Sequence, residues 1–85
     1  MSRFTVTPND SMRDTLNRVK QTITSKGGSF EGDTESGEFS GQTPVGKVKG
    51  KYTVIHGRDI EITITDKPFL APLSVIEDRV RNYFS

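Results

Sequence analysis

The chain has 85 residues, no cysteine and a formal net charge of +1. A chain of this length is expected to form a single domain, residues 1–85, with a small hydrophobic core. The lack of cysteine excludes a disulfide framework, a thiol nucleophile and a thiolate metal site, and it fits an intracellular protein.

The N-terminal segment, MSRFTVTPND, has no apolar run of the kind that a secretory signal needs. No stretch approaches the ~18 apolar residues of a membrane-spanning helix. The near-neutral net charge does not produce the field of one sign that is typical of a nucleic-acid-binding domain. We therefore expect a cytoplasmic protein without a membrane span.

The first third of the chain predicts a short strand and then a helix. Phe4 and Val6 alternate with polar residues, which indicates a strand over 3–7. Apolar residues then recur at helical spacing, at Met12, Leu16, Val19 and Ile23. This stripe predicts a helix over about residues 10–26, ended by the glycine pair that follows it.

Residues 29–66 predict four short strands joined by tight turns. The predicted strands are 29–34, 38–42, 47–56 and 60–66. The predicted registers of the three hairpins pair Thr34 with Gly37, Gln42 with Lys47, and His56 with Ile60. Together these registers place the large apolar residues on one face, which predicts an antiparallel meander.

Three glycines lie nine residues apart inside these strands, at Gly32, Gly41 and Gly50. The predicted registers place Gly32 opposite Phe39 and Gly41 opposite Phe30. Each aromatic ring can then cover the glycine that it faces. The first interpretation is packing and twist of the sheet. The alternative is a groove for an apolar ligand, lined by Gly32, Phe39, Gly41, Gly50 and Tyr52.

The opposite face of the meander is polar and carries charges in blocks. Residues 29–42 hold four acids and no base, and residues 43–58 hold four bases and no acid. The registers place Glu38 beside Lys51, an exposed pair that contributes more to register than to stability. A lysine stripe follows the third strand of the meander: Lys47, Lys49 and Lys51. Solvated cross-strand lysines are the first interpretation and anion binding is the alternative; without stacking rings, nucleic acid is disfavoured.

The final segment predicts a second helix over about 72–84, after Pro68 and Pro72 end the sheet. Its apolar stripe comprises Leu73, Ile76, Val80 and Tyr83 or Phe84. We expect an α+β fold of order β-α-β-β-β-β-α, with a mainly antiparallel sheet of four or five strands. Both helices would cover one face, and the sequence leaves open which edge the first strand joins.

No catalytic constellation is evident. His56 is the only histidine and has no fixed acid or nucleophile partner. The carboxylates around the first hairpin, Glu31, Asp33, Glu35 and Glu38, match no calcium loop and indicate a solvated hairpin. The segment GGSFEG lacks the Lys-Ser/Thr pair of a phosphate loop and precedes a strand. We expect no enzymatic activity, no cofactor and no metal.

Three segments carry a family resemblance: the hairpin FEGDTESGEFSG, the stretch GKVKGKYTVIHGRDIEITITDKPFLAP, and the amphipathic IEDRVRNYF. This layout resembles a small bacterial family, the polyhydroxyalkanoic acid system proteins. The resemblance implies a cytoplasmic protein linked to polyester storage granules, with no catalytic residues to transfer.

The leading expectation is a small non-enzymatic protein that binds a polyester granule surface or another protein. One alternative is a carrier that holds a small apolar ligand between sheet and helices. Another is an anion-binding module that uses the lysine stripe. The oligomeric state stays open.

Overall fold

A computed structural model describes residues 2–43, 46–68 and 71–84. The elements are β1 (Ser2–Val6), α1 (Met12–Ser25), β2 (Ser29–Gly32), β3 (Ser36–Thr43), β4 (Gly46–Ile55), β5 (Asp59–Asp66) and α2 (Leu73–Phe84). They form a five-stranded antiparallel sheet of order β1-β5-β4-β3-β2, with both helices on one face. The predicted α+β fold is confirmed, and β1 joins the edge beside β5.

No helix within the described ranges is long and apolar enough to cross a membrane. Two predicted features fall partly outside those ranges: the turn at 43–46 includes Pro44 and Val45, and the KPFLAP segment includes Phe69 and Leu70. The other predicted elements all exist, with ends that differ by a few residues.

The first helix owes its limits to local hydrogen bonds. Ser11 is the N-cap, and its side chain accepts a hydrogen bond from the Asp14 N–H at 3.2 Å. At the other end, the Gly28 N–H donates to the Ile23 carbonyl at 2.9 Å, and Gly27 adopts a φ of 85°. A side chain at Gly28 would collide with the Ser40 carbonyl, so glycine lets the end of α1 approach β3 closely.

The middle hairpin has the predicted register. Gln42 pairs with Lys47, Phe39 with Gly50, and Glu38 with Lys51. The inward residues of β3 and β4 therefore combine a large and a small side chain at each level. The lysine stripe lies on the opposite face, which neither α1 nor α2 covers; we name it the open face.

The predicted register of the β2–β3 hairpin is wrong by two residues. Gly32 pairs with Gly37, and Phe30 pairs with Phe39 rather than with Gly41. The cause is the side chain of Asp33, whose Oδ1 accepts hydrogen bonds from the N–H groups of Glu35 (2.8 Å) and Ser36 (3.0 Å). This Asx-type turn begins at Asp33, so the chain reverses before it reaches the predicted Thr34–Gly37 pair.

The predicted register of the β4–β5 hairpin is also wrong by two residues. Tyr52 pairs with Ile62 and Val54 with Ile60. His56 and Gly57 adopt φ values of 55° and 67°, so the chain turns at His56 instead of continuing the strand through it. A shift of two preserves which side chains face the helices, so the predicted inner face survives both errors.

One continuous core lies between the sheet and the helices. Tyr52 stacks on Phe30 with ring centroids 5.5 Å apart, and Phe84 of α2 contacts both Phe39 (5.4 Å) and Tyr52 (6.0 Å). Aromatic contacts of this geometry add to the free energy gained by burial. Four aromatic rings thus pack together in this core.

The rings determine which glycines can be replaced. A Cβ on Gly50 would lie 2.6 Å from Phe39 Cζ and 3.0 Å from the Thr63 carbonyl, whereas a Cβ on Gly41 meets nothing within 4 Å. We expect Gly50→Ala to lower the free energy of unfolding by about 1–3 kcal/mol. Gly41→Ala should raise it by about 0.5–1 kcal/mol, because alanine loses less backbone entropy on folding. Urea unfolding measures both; equal effects at the two positions would contradict this packing.

Thr15 of α1 is fully buried, and its Oγ1 has no hydrogen-bond partner in the described part of the chain. Valine has nearly the same shape and buries no polar group, so Thr15→Val should raise the free energy of unfolding by about 1 kcal/mol. Thr24→Val is the matched control on the same helix. It removes an exposed hydrogen bond to the Lys20 carbonyl at 2.7 Å and should not stabilise the protein.

Candidate functional site

The five residues predicted to line a ligand groove have different surroundings in the structure. Phe39 packs over Gly50, and Tyr52 is 1% exposed in the core. Gly32 lies at the exposed end of β2, where a Cβ would come within 2.5 Å of Tyr52 Oη. Of these five residues, only Gly41 has open space where a side chain would lie. The predicted groove is therefore filled by aromatic rings at every level except that of Gly41.

Tyr52 lies on β4, and its side chain reaches across β3 to the β2–β3 loop. Its hydroxyl donates a hydrogen bond to the Asp33 carbonyl at 2.7 Å, which ties the core to the β2–β3 loop. Burial, with a smaller contribution from the nearby Asp33 charge, raises the pKa of Tyr52 to about 12. The phenol therefore stays a neutral hydrogen-bond donor at physiological pH.

Asp33 is exposed, and its side chain shapes the β2–β3 loop that Tyr52 holds. Hydrogen bonds from the N–H groups of Ser36 and then Glu35 lower the pKa of Asp33, because they favour its ionised form. Asp33 is one of the four carboxylates that the sequence places around this hairpin, and its role is to form the turn. Among the residues that the structure describes, no group of three His, Cys, Asp or Glu side chains could hold a metal ion.

A narrow crevice opens above Gly41, between the C-terminal half of α1, α2 and the β3–β4 hairpin. Its walls are lined by Ile23, Lys26, Phe39, Gly41, Gln42, Val48, Arg79, Val80 and Tyr83. The enclosed volume is about 20 Å³, and the crevice with its open mouth measures about 390 Å³. Closed ligand pockets typically measure roughly 300–1,000 Å³. The enclosed part therefore accepts a few atoms rather than a whole large ligand.

Two cations stand at the crevice: Lys26 at the end of α1 and Arg79 on α2. The Lys26 ammonium lies 5.4 Å from the centroid of the Tyr83 ring, a cation–π distance. Sequence reasoning did not predict this grouping. The two residues lie on different helices, and only the packing of the helices brings them together.

The open face carries the larger depression, a shallow groove of about 450 Å³ across β2, β3 and β4. Its lining includes the lysine stripe, Glu31, Glu38 and three hydroxyl side chains, which are Ser29, Ser40 and Thr65. The hydroxyls of Ser29 and Ser40 are hydrogen-bonded at 2.7 Å. The groove is thus polar, solvated and rich in hydrogen-bond donors.

The charge along the lysine stripe is uneven. Lys51 has Glu38 as its cross-strand neighbour, whereas Lys47 has the neutral Gln42. Lys49 lies between Ser40 on β3 and Asp66 on β5, where the β4–β5 register shifts. Throughout residues 2–43, 46–68 and 71–84, no carboxylate oxygen lies within 4.0 Å of the three ammonium groups. The Lys47 end is therefore the more positive end of the groove.

A further polar contact joins β1 to α2, at the edge farthest from the groove. The buried Ser2 hydroxyl donates a hydrogen bond to Glu77, and Arg81 lies 4.9 Å from the centre of the Phe4 ring. Spacing along the chain did not predict these contacts. They join β1 to α2.

Scans of protein-family models, of curated proteins and of solved structures each found no match to this chain. The polyhydroxyalkanoic acid system resemblance therefore rests on the residues of the chain itself and stays a prediction.

Replacing Tyr52 with phenylalanine should expose its two roles separately. At pH 7 we expect Tyr52→Phe to lower the free energy of unfolding by about 0.5–1.5 kcal/mol, the net contribution of one hydrogen bond. The folded pKa of Tyr52, about 12, exceeds the ordinary tyrosine pKa of about 10. Stability should thus be complete below pH 10 and fall as pH rises from about 10 to 12, because the unfolded tyrosine loses its proton first.

Tyr52→Phe should reduce this alkaline loss, and Tyr83→Phe is the matched control that leaves it in place. Urea unfolding at pH 7 and at pH 11 measures both effects. An identical alkaline loss in the protein and in Tyr52→Phe would show that Tyr52 is not the group responsible.

Proposed function

We propose that this protein is a small non-enzymatic binding module that docks through the open face of its sheet. The observation that carries the proposal is the asymmetry of the sheet: two helices close one face, while the other presents a groove with three lysines that lack an ion pair among the described residues. Solvated ammonium groups without a fixed partner can meet an anionic or acceptor-rich surface at little structural cost.

The distribution of charge favours one orientation of the bound surface. Lys47 and Lys49 have hydroxyl or amide neighbours on β3, whereas Lys51 faces Glu38. Acceptor groups of a partner would therefore meet the Lys47 end, and Glu38 would repel negative charge from the other end. This arrangement orients a partner more than it strengthens the binding.

Polyester storage granules are the setting that the family resemblance favours. The resembling segments contribute β2, β3, β4, β5 and α2, and β3 and β4 carry most of the groove lining. Ester carbonyl groups accept hydrogen bonds and donate none. The ammonium groups and hydroxyls of the open face supply donors at close spacing, which supports contact with a surface of esters.

Sedimentation with purified polyhydroxyalkanoate granules tests the proposal. We expect the protein to pellet with the granules and Lys47→Gln/Lys49→Gln/Lys51→Gln to pellet several-fold less, because the donors and charges of the groove are lost. The matched control is Arg13→Gln/Lys20→Gln/Arg58→Gln, which removes the same charge from exposed positions outside the groove. It should pellet like the unmodified protein.

A protein that stays in the supernatant would contradict granule association. Retention on a heparin column then distinguishes the alternative of anion binding. Retention that salt abolishes, and that the lysine-stripe variant lacks, would support an anionic partner at the same face. Equal pelleting of the two triple variants would overturn the assignment of the open face.

A further inference from the structure

We propose that the crevice above Gly41 binds a short aliphatic monocarboxylate, with the chain in the crevice and the carboxylate between Lys26 and Arg79. This site lies on the helix-covered side of the sheet. The lysine stripe lies on the opposite face, so the two sites are independent and can be tested separately.

The first argument is the space. The inward glycines differ: rings of Phe39 and Tyr52 lie within 2.7 Å of a Cβ built on Gly50 or Gly37, whereas Gly41 has nothing within 4 Å. The walls beside Gly41 are aliphatic and aromatic, from Ile23, Val48 and Val80 among others. The core is therefore open beside Gly41, and an alkyl chain entering there would be removed from water.

The second argument is the charge at the mouth. The crevice lining includes the cations Lys26 and Arg79 and no acidic residue. Over the described ranges, no carboxylate lies within 4.0 Å of either cation. Apolar walls beneath two such cations are complementary to a ligand with an alkyl chain and one anionic end. A guanidinium also offers the paired donors that suit a carboxylate.

The size of the crevice limits the length of the chain. The enclosed volume of about 20 Å³ admits roughly one methyl or methylene group, and the rest of the chain would lie along the open mouth of the crevice. Each methylene that becomes buried should tighten binding about fourfold, and the gain should stop once the chain fills the crevice. Hexanoate is therefore the probe, with acetate and hexanol as comparators that lack the chain or the charge.

Thermal unfolding at constant ionic strength is the first measurement. We expect hexanoate to raise the melting temperature in a saturable way, as a ligand of the folded state does. Acetate and hexanol should raise it much less at the same concentrations. No saturable rise with hexanoate overturns the proposal, and an equal rise with hexanol overturns the role of the two cations.

Gly41→Val separates binding from folding. Valine fills the open space at a β position that tolerates a side chain, so the variant should fold with equal or greater stability and lose the hexanoate response. Gly41→Ala, a smaller change, should weaken the response and guards against a folding defect in the valine variant. A full hexanoate response in both variants would overturn the site.

The cations are tested by Lys26→Gln/Arg79→Gln, with Lys20→Gln/Arg58→Gln as the charge-matched control. The first pair should reduce the hexanoate response to that of hexanol, and the control should keep it. If both pairs reduce the response equally, the effect is one of net charge and the proposed site is wrong. A response that disappears with the lysine stripe rather than with Gly41→Val would place hexanoate on the open face and also overturn the proposal.

Discussion

The packing of Tyr52 against glycine is the constraint on which the rest of the structure depends. Its ring lies over Gly37, against Phe30 of the edge strand and Phe84 of α2, and its hydroxyl reaches the Asp33 carbonyl. One side chain of β4 thereby joins three strands, a helix and a loop. The close approach is possible because position 37 has no Cβ. Removing that glycine would displace the ring, the loop and the C-terminal helix together.

The order of elements and the membership of each sheet face could be predicted from the sequence, since both depend on periods that survive a shift of two residues. The register of the middle hairpin could also be predicted. The other two registers could not, because Asp33 and His56 change where each chain reversal begins. The alternation of apolar and polar residues does not indicate where a side chain forms a turn or where the backbone becomes left-handed.

The candidate surfaces divide in the same way. The lysine stripe follows from alternation along one strand and was predictable. The crevice depends on how the two helices pack over β3. No sequence pattern therefore links Lys26 with Arg79. A small domain can in this way offer two kinds of chemistry: hydrogen-bond donors spread over an exposed sheet, and a narrow apolar opening beneath two cations. Each is compatible with the same core because they occupy opposite sides of the sheet.

The position of β1 has a consequence for how the chain folds. The ladders β2–β3, β3–β4 and β4–β5 join strands that are neighbours in the sequence. In contrast, β1 pairs with β5, as in Val6 with Ile60, although α1 and the other three strands lie between them in the chain. Bringing β1 and β5 together closes a long loop and costs chain entropy. The contacts of Ser2 and Phe4 with α2 can offset this cost only after the loop has closed. The meander can form from local contacts alone. We therefore expect β1 to join the sheet after the meander has formed.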